Sequence, residues 1–400
     1  MLSDPAPDAP VIVSDEPGSF PHGVFVDRHP ALVRRVLDAF PYAPEQRRAL
    51  TALLRDSTDG VIGPLPADAP GRAHWDAWGL AEQVGRSWLA APFLWAESYF
   101  YRRFLDAVGY FGPGPWQGVD PFRPFKLADL HTAEADAERA ALDDLADRPL
   151  DAQAAALLHG SLWGNRADLG FRMGAGDADG GAADAPRPPV LVDESDALWR
   201  LLPEGAPNTV YLVADNAGRE LVPDLLLADH LLSHGRAVRV VLHVKPYPYY
   251  VSDATTADVV DALRHLTGAD AGSAAHAAGT RLWSAMADGV LAVRAHPFSC
   301  APLPYADMPD DLRADFATAT VTLLKGDLNY RRLVGDRLWP ATEPFAERTA
   351  YFPGPVAALR TLKSQVVVGL DAPTGRALDA SAPDGSWRTA GTHAVIQVRP

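Results

Sequence analysis

Between residues 189 and 370 the chain repeats one texture, in which short apolar runs rich in Val and Leu alternate with longer segments. The runs are PVLVD, TVYLVAD, AVRVVLHV, GVLAVRA, TVTLLKGD and QVVVGL. Between most of them lie helical patterns or long connections such as RELVPDLLLADHLLSHG, TTADVVDALRHLTG and PDDLRADFATA. Continuous apolar strands spaced by helix-length connections specify a largely parallel sheet covered on both faces. The fold class is therefore α/β, a doubly wound, Rossmann-like α/β/α arrangement. It also directs attention to particular residues, because in such sheets ligands sit beyond the carboxyl ends of the strands.

The preceding part reads differently. Residues 1–30, acidic and proline-rich, are expected to form an extended N-terminal segment, and residues 31–173 a helical domain. Within it PALVRRVLDAFPYAPEQRRALTALLRDST gives two short amphipathic helices broken at Pro41 and Pro44. An aromatic-rich helix follows in WLAAPFLWAESYFYRRFLDAVGYF, then an alanine-rich pair with a break near Pro149. Residues 174–189, GAGDADGGAADAPRPP, read as a flexible acidic loop. Its glycines do not suit a phosphate cradle, since no strand precedes them and the carboxylates would repel phosphate. Residues 190–400 are then the α/β domain expected to bind metal and substrate.

The strand ends carry polar residues of a particular mixture. TVYLVA stops on Asp215-Asn216, and AVRVVLHV runs into KPYPYYVSD, a proline-stiffened loop that delivers Asp253 to the next helix. TVTLLK ends in GDLNYRR, offering Asp327, Asn329 and Arg331, and RTLK contributes Arg360 and Lys363 ahead of QVVVGL. Two carboxylates and an amide oxygen near one rim are hard oxygen donors suited to Mg²⁺ or Mn²⁺. Lys363 and Arg331 would neutralise an anion bridging to such a metal. Acids for a metal beside bases for remaining charge is what a phosphate ester on a divalent ion requires. Ordinary explanations stand beside this one. Asp215 and Asp253 fit helix N-caps, GDLNYRR fits a turn opening a basic helix, and Lys363 fits a solvated lysine.

Glu97 lies on a helical face with Phe93, Leu94, Phe100, Tyr101 and Phe104, so its carboxylate points at apolar surface. A structural ion pair with a basic residue is expected there rather than a substrate contact. His243 and His296 are given no role. Composition narrows the class further. A net charge of -15 disfavours general nucleic-acid or anionic-membrane binding. The single cysteine, Cys300, excludes an intrachain disulfide and a cysteine-based metal cluster, and suits a reducing cytoplasm. MLSDPAPDAPVIVSDEPGSF is neither a signal peptide nor an anchor in pattern, and no apolar run approaches the roughly 20 residues of a membrane helix.

Four motifs in order, ADNAGREL, KPYPYYVSDAT, LLKGDLNYRRL and RTLKSQVVVGL, together resemble the metal-dependent damage-control phosphatase family. RTLK is similar to the Arg-Thr-x-Lys signature of its sugar-phosphate subfamily, which also carries the label acidic-residue (protein-glutamate) methyltransferase. WAESYFYRRFLDAVGYF and LLHGSLWGNRADLGF resemble the family's helical portion. The resemblance implies that Asp215, Asn216 and Asp253 bind a divalent metal (Mn²⁺, Co²⁺, Ni²⁺ or Mg²⁺), with Asp215 and Asp253 catalytic. It implies that these three contact the substrate together with Glu220, Asp327, Leu328, Asn329, Tyr330, Arg331 and Lys363. There are two departures from the family pattern. Arg219 stands where the family has an apolar or aromatic residue, and RADLGF replaces an Asp-Leu-Ser ending. Both are expected to alter the substrate pocket, and neither touches the metal ligands.

The function this implies is metal-dependent hydrolysis of a small phosphorylated metabolite, a ketose or related sugar phosphate such as fructose 1-phosphate, in the cytoplasm. A haloacid-dehalogenase-like route would need an acid two residues beyond Asp215, where Ala217 stands. The rival is methyl transfer from S-adenosylmethionine to protein glutamate, although the turns after the first strands carry acids rather than a glycine-rich fingerprint. A non-catalytic sugar-phosphate sensor is a third class, with less need of metal-binding acids.

Overall fold

The computed structural model describes residues 9–164 and 190–400. The acidic loop at 174–189 and the RADLGF departure lie outside the described residues. Seven strands form one sheet: β1 (Val190–Asp193), β2 (Thr209–Val213), β3 (Arg239–Val244), β4 (Leu291–Ala295), β5 (Val321–Lys325), β6 (Val356–Thr361) and β7 (Ala394–Arg399). Their order is β1-β7-β6-β5-β2-β3-β4. From β4 through to β6 neighbouring strands are parallel; β7 pairs antiparallel with β6, and β1 runs parallel to β7. The expected doubly wound, largely parallel sheet is present. The chain leaves β2 for β3 and β4 on one side, then returns to lay β5 against the other side of β2. That reversal makes the carboxyl ends of β2 and β5 the natural crevice of the fold.

QVVVGL is not a strand. Val366, Val367 and Val368 are buried in irregular chain, while the strands are VAALRT before it and AVIQVR at the C-terminus. A short buried apolar run does not by itself distinguish a strand from a buried connection. The correction matters for the site, because the Arg-Thr of RTLK now ends β6 and Lys363 lies just beyond a strand's carboxyl end.

Residue alternation along the strands feeds two apolar layers. Tyr211, Val213, Val241 and Leu324 face one layer, built with α1 (His29–Ala39), α2 (Pro44–Asp59) and α3 (Phe93–Val108). After α4 (Arg123–Leu130) come α5 (Ala133–Ala146) and α6 (Leu150–Trp163). Along with α7 (Leu221–Ser233), α8 (Thr256–Thr267) and α9 (Ala274–Ala287), they cover Val210, Leu212, Val240 and Leu323 on the opposite face. Helix α10 (Gly326–Val334) follows β5 directly.

The N-terminal segment is only partly extended. Ser19 accepts a hydrogen bond from the His22 amide as N-cap of the helix Phe20–Gly23, and Pro21 sits in its first turn, where a missing N–H costs nothing. A five-residue π-helical turn, Val24–Arg28, joins it to α1. Among the described residues no helix is long and apolar enough to cross a membrane.

Candidate active site

The ends of β2 and β3 are sewn together by backbone hydrogen bonds. The Ala254 amide donates to the Asp215 carbonyl at 2.9 Å, and the Ala217 amide to the Ser252 carbonyl at 2.7 Å. Asn216 and Asp253 form an isolated antiparallel bridge. Lys126 of α4, itself buried, donates to the Asp253 carbonyl at 2.9 Å and to the Asp258 carboxylate at 3.0 Å, which pins the loop from below. The loop is also conformationally forced. Tyr250 and Val251 both adopt left-handed backbone (φ 45° and 66°), a strain that non-glycine residues keep only where surrounding contacts impose it. Tyr249 donates to Ser98 of α3 at 2.7 Å, and Tyr250 stacks on Tyr101 with ring centroids 4.9 Å apart.

This sewing fixes the partly buried Asp215 beside the buried Asp253. Burial, followed by the charges of Asp253 and Glu220, pushes the Asp215 carboxyl well above the ordinary carboxylate range. Burial likewise raises Asp253, against the pull of Lys245 and Lys126. Asp253 Oδ2 is buried without a hydrogen-bond partner, 3.4 Å from the Lys245 ammonium. Asn216 is held in one orientation: its Nδ2 donates to Glu220 at 2.7 Å, and its Oδ1 accepts from Ser252 Oγ at 2.6 Å. Among the described residues no three His, Cys, Asp or Glu side chains converge as a metal cluster. The donor set here is instead two acids and an amide. Two mutually repelling carboxylates with an orphaned oxygen fit a hard divalent cation.

Across the crevice, α10 starts at Gly326, whose φ of 83° and missing side chain let it lie against the Asp215 carboxylate. Asp327 follows, and its Oδ1 gathers the RTLK loop: it accepts from Arg360 Nε at 2.9 Å, the Lys363 amide at 3.2 Å and Ser364 Oγ at 3.0 Å. Burial alone would raise Asp327, but the Arg360 and Arg331 guanidiniums and these hydrogen bonds hold it below the usual range. Lys363 is thereby aimed at the crevice, its Nζ 3.7 Å from Glu220. Asp215, Asn216, Asp253, Asp327, Leu328, Arg331 and Lys363 all line one cavity of about 430 Å³.

A model of the damage-control phosphatase ARMT1-like domain matches residues 24–378. The chain belongs to this family. It is 31% identical to damage-control phosphatase ARMT1 of Danio rerio, over 95% of this chain and 94% of that one. With the proteins of the same name from Rattus norvegicus and Homo sapiens the identity is 30%, covering 98% and 95% of this chain and 98% and 96% of theirs. Among solved structures, a DUF89 family protein from Pyrococcus horikoshii aligns with a TM-score of 0.46 and 15% identity, over 90% of this chain and 94% of that one.

Not every residue expected to contact substrate lines the cavity of this ARMT1-like protein. Asn329 and Tyr330 are buried beneath it. Asn329 Nδ2 donates to the carbonyls of Ala214 and Lys325, at 3.1 and 2.8 Å, and so bolts α10 to the end of β2. The Tyr330 hydroxyl donates to Gln397 at 2.9 Å, and its ring lies under the Arg360 guanidinium. Glu220 sits behind Asn216 and orients it. Arg219 points away from the cavity into an ion pair with Glu138 on α5, so this departure from the family pattern does not shape the cavity wall. Arg331 forks onto Asp336, with Nε–Oδ1 2.6 Å and Nη2–Oδ2 3.0 Å. Among the described residues the expected ion pair at Glu97 does not form. Its neighbouring arginine is committed to Asp336, and Glu97 itself lines the cavity. Phe20, Arg28, Tyr250, Ser252 and the segment 389–391 also line it, none of which was expected from the sequence. Only the YYVSD loop held a signal, through its closeness to Asp253.

Proposed function

We propose that this protein is a metal-dependent phosphatase of small phosphorylated metabolites in the cytoplasm, acting on ketose or related sugar phosphates such as fructose 1-phosphate. Membership of the damage-control phosphatase family supports the reaction class. The observation that carries the reading is the pair of acids, Asp215 and Asp253, held side by side in a cavity that Lys363 also lines. Asp215, Asn216 and Asp253 would hold the cation. Bound there, a divalent ion supplies positive charge that polarises phosphoryl oxygens. Lys363 meets the remaining phosphate charge, and Asp327 keeps it in position by binding the backbone of its loop. Glu220 and Ser252 hold the Asn216 amide so that its oxygen is presented without rotamer search.

Turnover of a panel of phosphate esters is expected to vanish in chelator and to return with Mn²⁺, Co²⁺, Ni²⁺ or Mg²⁺, since all-oxygen sites select weakly among them. Lys363→Ala is expected to lower kcat/KM on the order of a hundredfold, as for a lost charge contact to the transition state. Full activity after exhaustive chelation, or methyl transfer from S-adenosylmethionine in place of hydrolysis, would overturn the reading.

A further inference from the structure

The cavity has two chemically distinct ends. The charged groups that act on Asp215 are Asp253, Glu220, Lys363 and Lys245; those that act on Glu97 are Arg331, Asp336 and Arg28. At the second end, α3 presents a carboxyl only 8% exposed, and the π-helical turn Val24–Arg28 ends on an exposed arginine whose guanidinium lies 4.8 Å from the Phe20 ring centroid. A π turn inside a helical segment shifts the facing of the residues after it and recurs at functional sites. Tyr250, held in left-handed backbone with its hydroxyl 3.2 Å from Ser98 Oγ, adds a further wall. From Phe20 and Thr389 the cavity continues into a second groove of about 670 Å³.

We propose that Glu97 and Arg28, with Phe20 as an apolar wall, form a second subsite that takes the hydroxyl-bearing part of the substrate, a run of neighbouring alcohols attached to the phosphate. The proposal rests on the phosphatase reading and fixes the orientation of the ester in the cavity. A phosphate group does not suit this end. Among the described residues here it finds only Arg28 free to meet it, since Arg331 is committed to Asp336, while a charged Glu97 repels it and a neutral one offers a single donor. An ammonium group is opposed by Arg28 and gains no counter-charge from a neutral Glu97. An alcohol satisfies both partners at once, donating to the Glu97 carboxyl and accepting from Arg28. Burial raises Glu97 to about 7, so its neutral form is within reach near physiological pH, which suits an uncharged partner. The Phe20 ring offers an apolar face to the C–H side of such a chain. The phosphate is then left to the end that holds Asp215, Asp253 and Lys363.

The test compares kcat/KM for fructose 1-phosphate with kcat/KM for n-hexyl phosphate, which has a six-carbon chain and no hydroxyl groups. Wild-type protein is expected to prefer the sugar ester by at least about tenfold, since an alcohol-binding site left with unpaired polar groups rejects the analogue. Glu97→Met, of similar volume, and Arg28→Ala, at an exposed position that threatens no core packing, are each expected to lower kcat/KM for the sugar ester ten- to a hundredfold, mostly through KM. The loss on n-hexyl phosphate is expected to be smaller, so the preference collapses. Glu97→Gln, which still hydrogen-bonds, is expected to keep most of it. Equal losses on both esters in Arg28→Ala, or no preference in the wild type, would overturn the subsite while leaving the phosphatase reading intact. Wild-type protein that hydrolyses neither ester with metal present would remove both.

Discussion

Glu97 is buried where a carboxylate is unfavourable, and the consequence is measurable without substrate. Burial lifts it from 4.5 to about 7, and the opposing pull of Arg331 and Arg28 does not cancel that rise. A group whose folded value is raised favours the folded state fully below its unfolded value and loses that contribution as pH climbs through the folded value. The window here runs from about 4.5 to about 7. Glu97→Gln, neutral at every pH, is therefore expected to be more stable than wild type at pH 8 by roughly 1–3 kcal/mol, and equal to it near pH 4. Denaturant melts at the two pH values decide this; a difference independent of pH would mean that the carboxyl is solvated. Residues of this kind were only half legible in the sequence. Helical spacing placed Glu97 against apolar neighbours, but the partner it would meet depends on Arg331 choosing Asp336, five residues along its own chain. Arg28 carried no signal, because a π turn leaves no mark on apolar spacing.

At the scale of elements, the strand ends were legible because polar residues interrupt apolar runs there. β2, β3 and β5 each stop where the sequence turns from Val and Leu to Asp, Lys or Gly. β6 and β7 were not legible for the converse reason: each carries a buried polar residue inside the strand. Arg360 is fully buried, with its guanidinium spent on Asp327 and on Ser364. Gln397 bonds the Val368 carbonyl at 2.8 Å and receives the Tyr330 hydroxyl. Partners brought by the tertiary fold make such residues acceptable in a core, and no local pattern announces them. The junction of β5 with α10 yields a prediction of its own. A β-carbon at Gly326 would fall inside the Asp215 carboxylate, and the backbone there is left-handed. Gly326→Ala is expected to displace Asp215, lower stability by about 1 kcal/mol or more, and abolish turnover. An active, wild-type-stable variant would show that Asp215 has room to move without consequence.

For the whole molecule, the apolar layers explain why helices far apart in sequence build one site. The layer that joins α1, α2 and α3 to the sheet brings Glu97 and Arg28 to a crevice whose acids come from β2 and β3. The change of texture between the helical and strand-rich halves was plain in the sequence. That packing continues across it was not, because contact between distant segments leaves no periodic trace. The central claim remains that Asp215, Asn216 and Asp253 were placed at the fold's crevice to hold a cation. Asp215→Asn tests it, since asparagine keeps the shape of aspartate but removes a full charge from the site, and Asp215 caps neither the turn that starts at Gly218 nor α7. The variant's metal-free melting temperature is expected to stay level or rise slightly, as repulsion from Asp253 and Glu220 is relieved. The deciding measurement is calorimetric titration of Mn²⁺ into metal-free wild-type and Asp215→Asn protein. Binding by the wild type and its loss by a hundredfold or more in the variant is the predicted result; equal affinity in the two would contradict the account and remove Asp215 from the cation site.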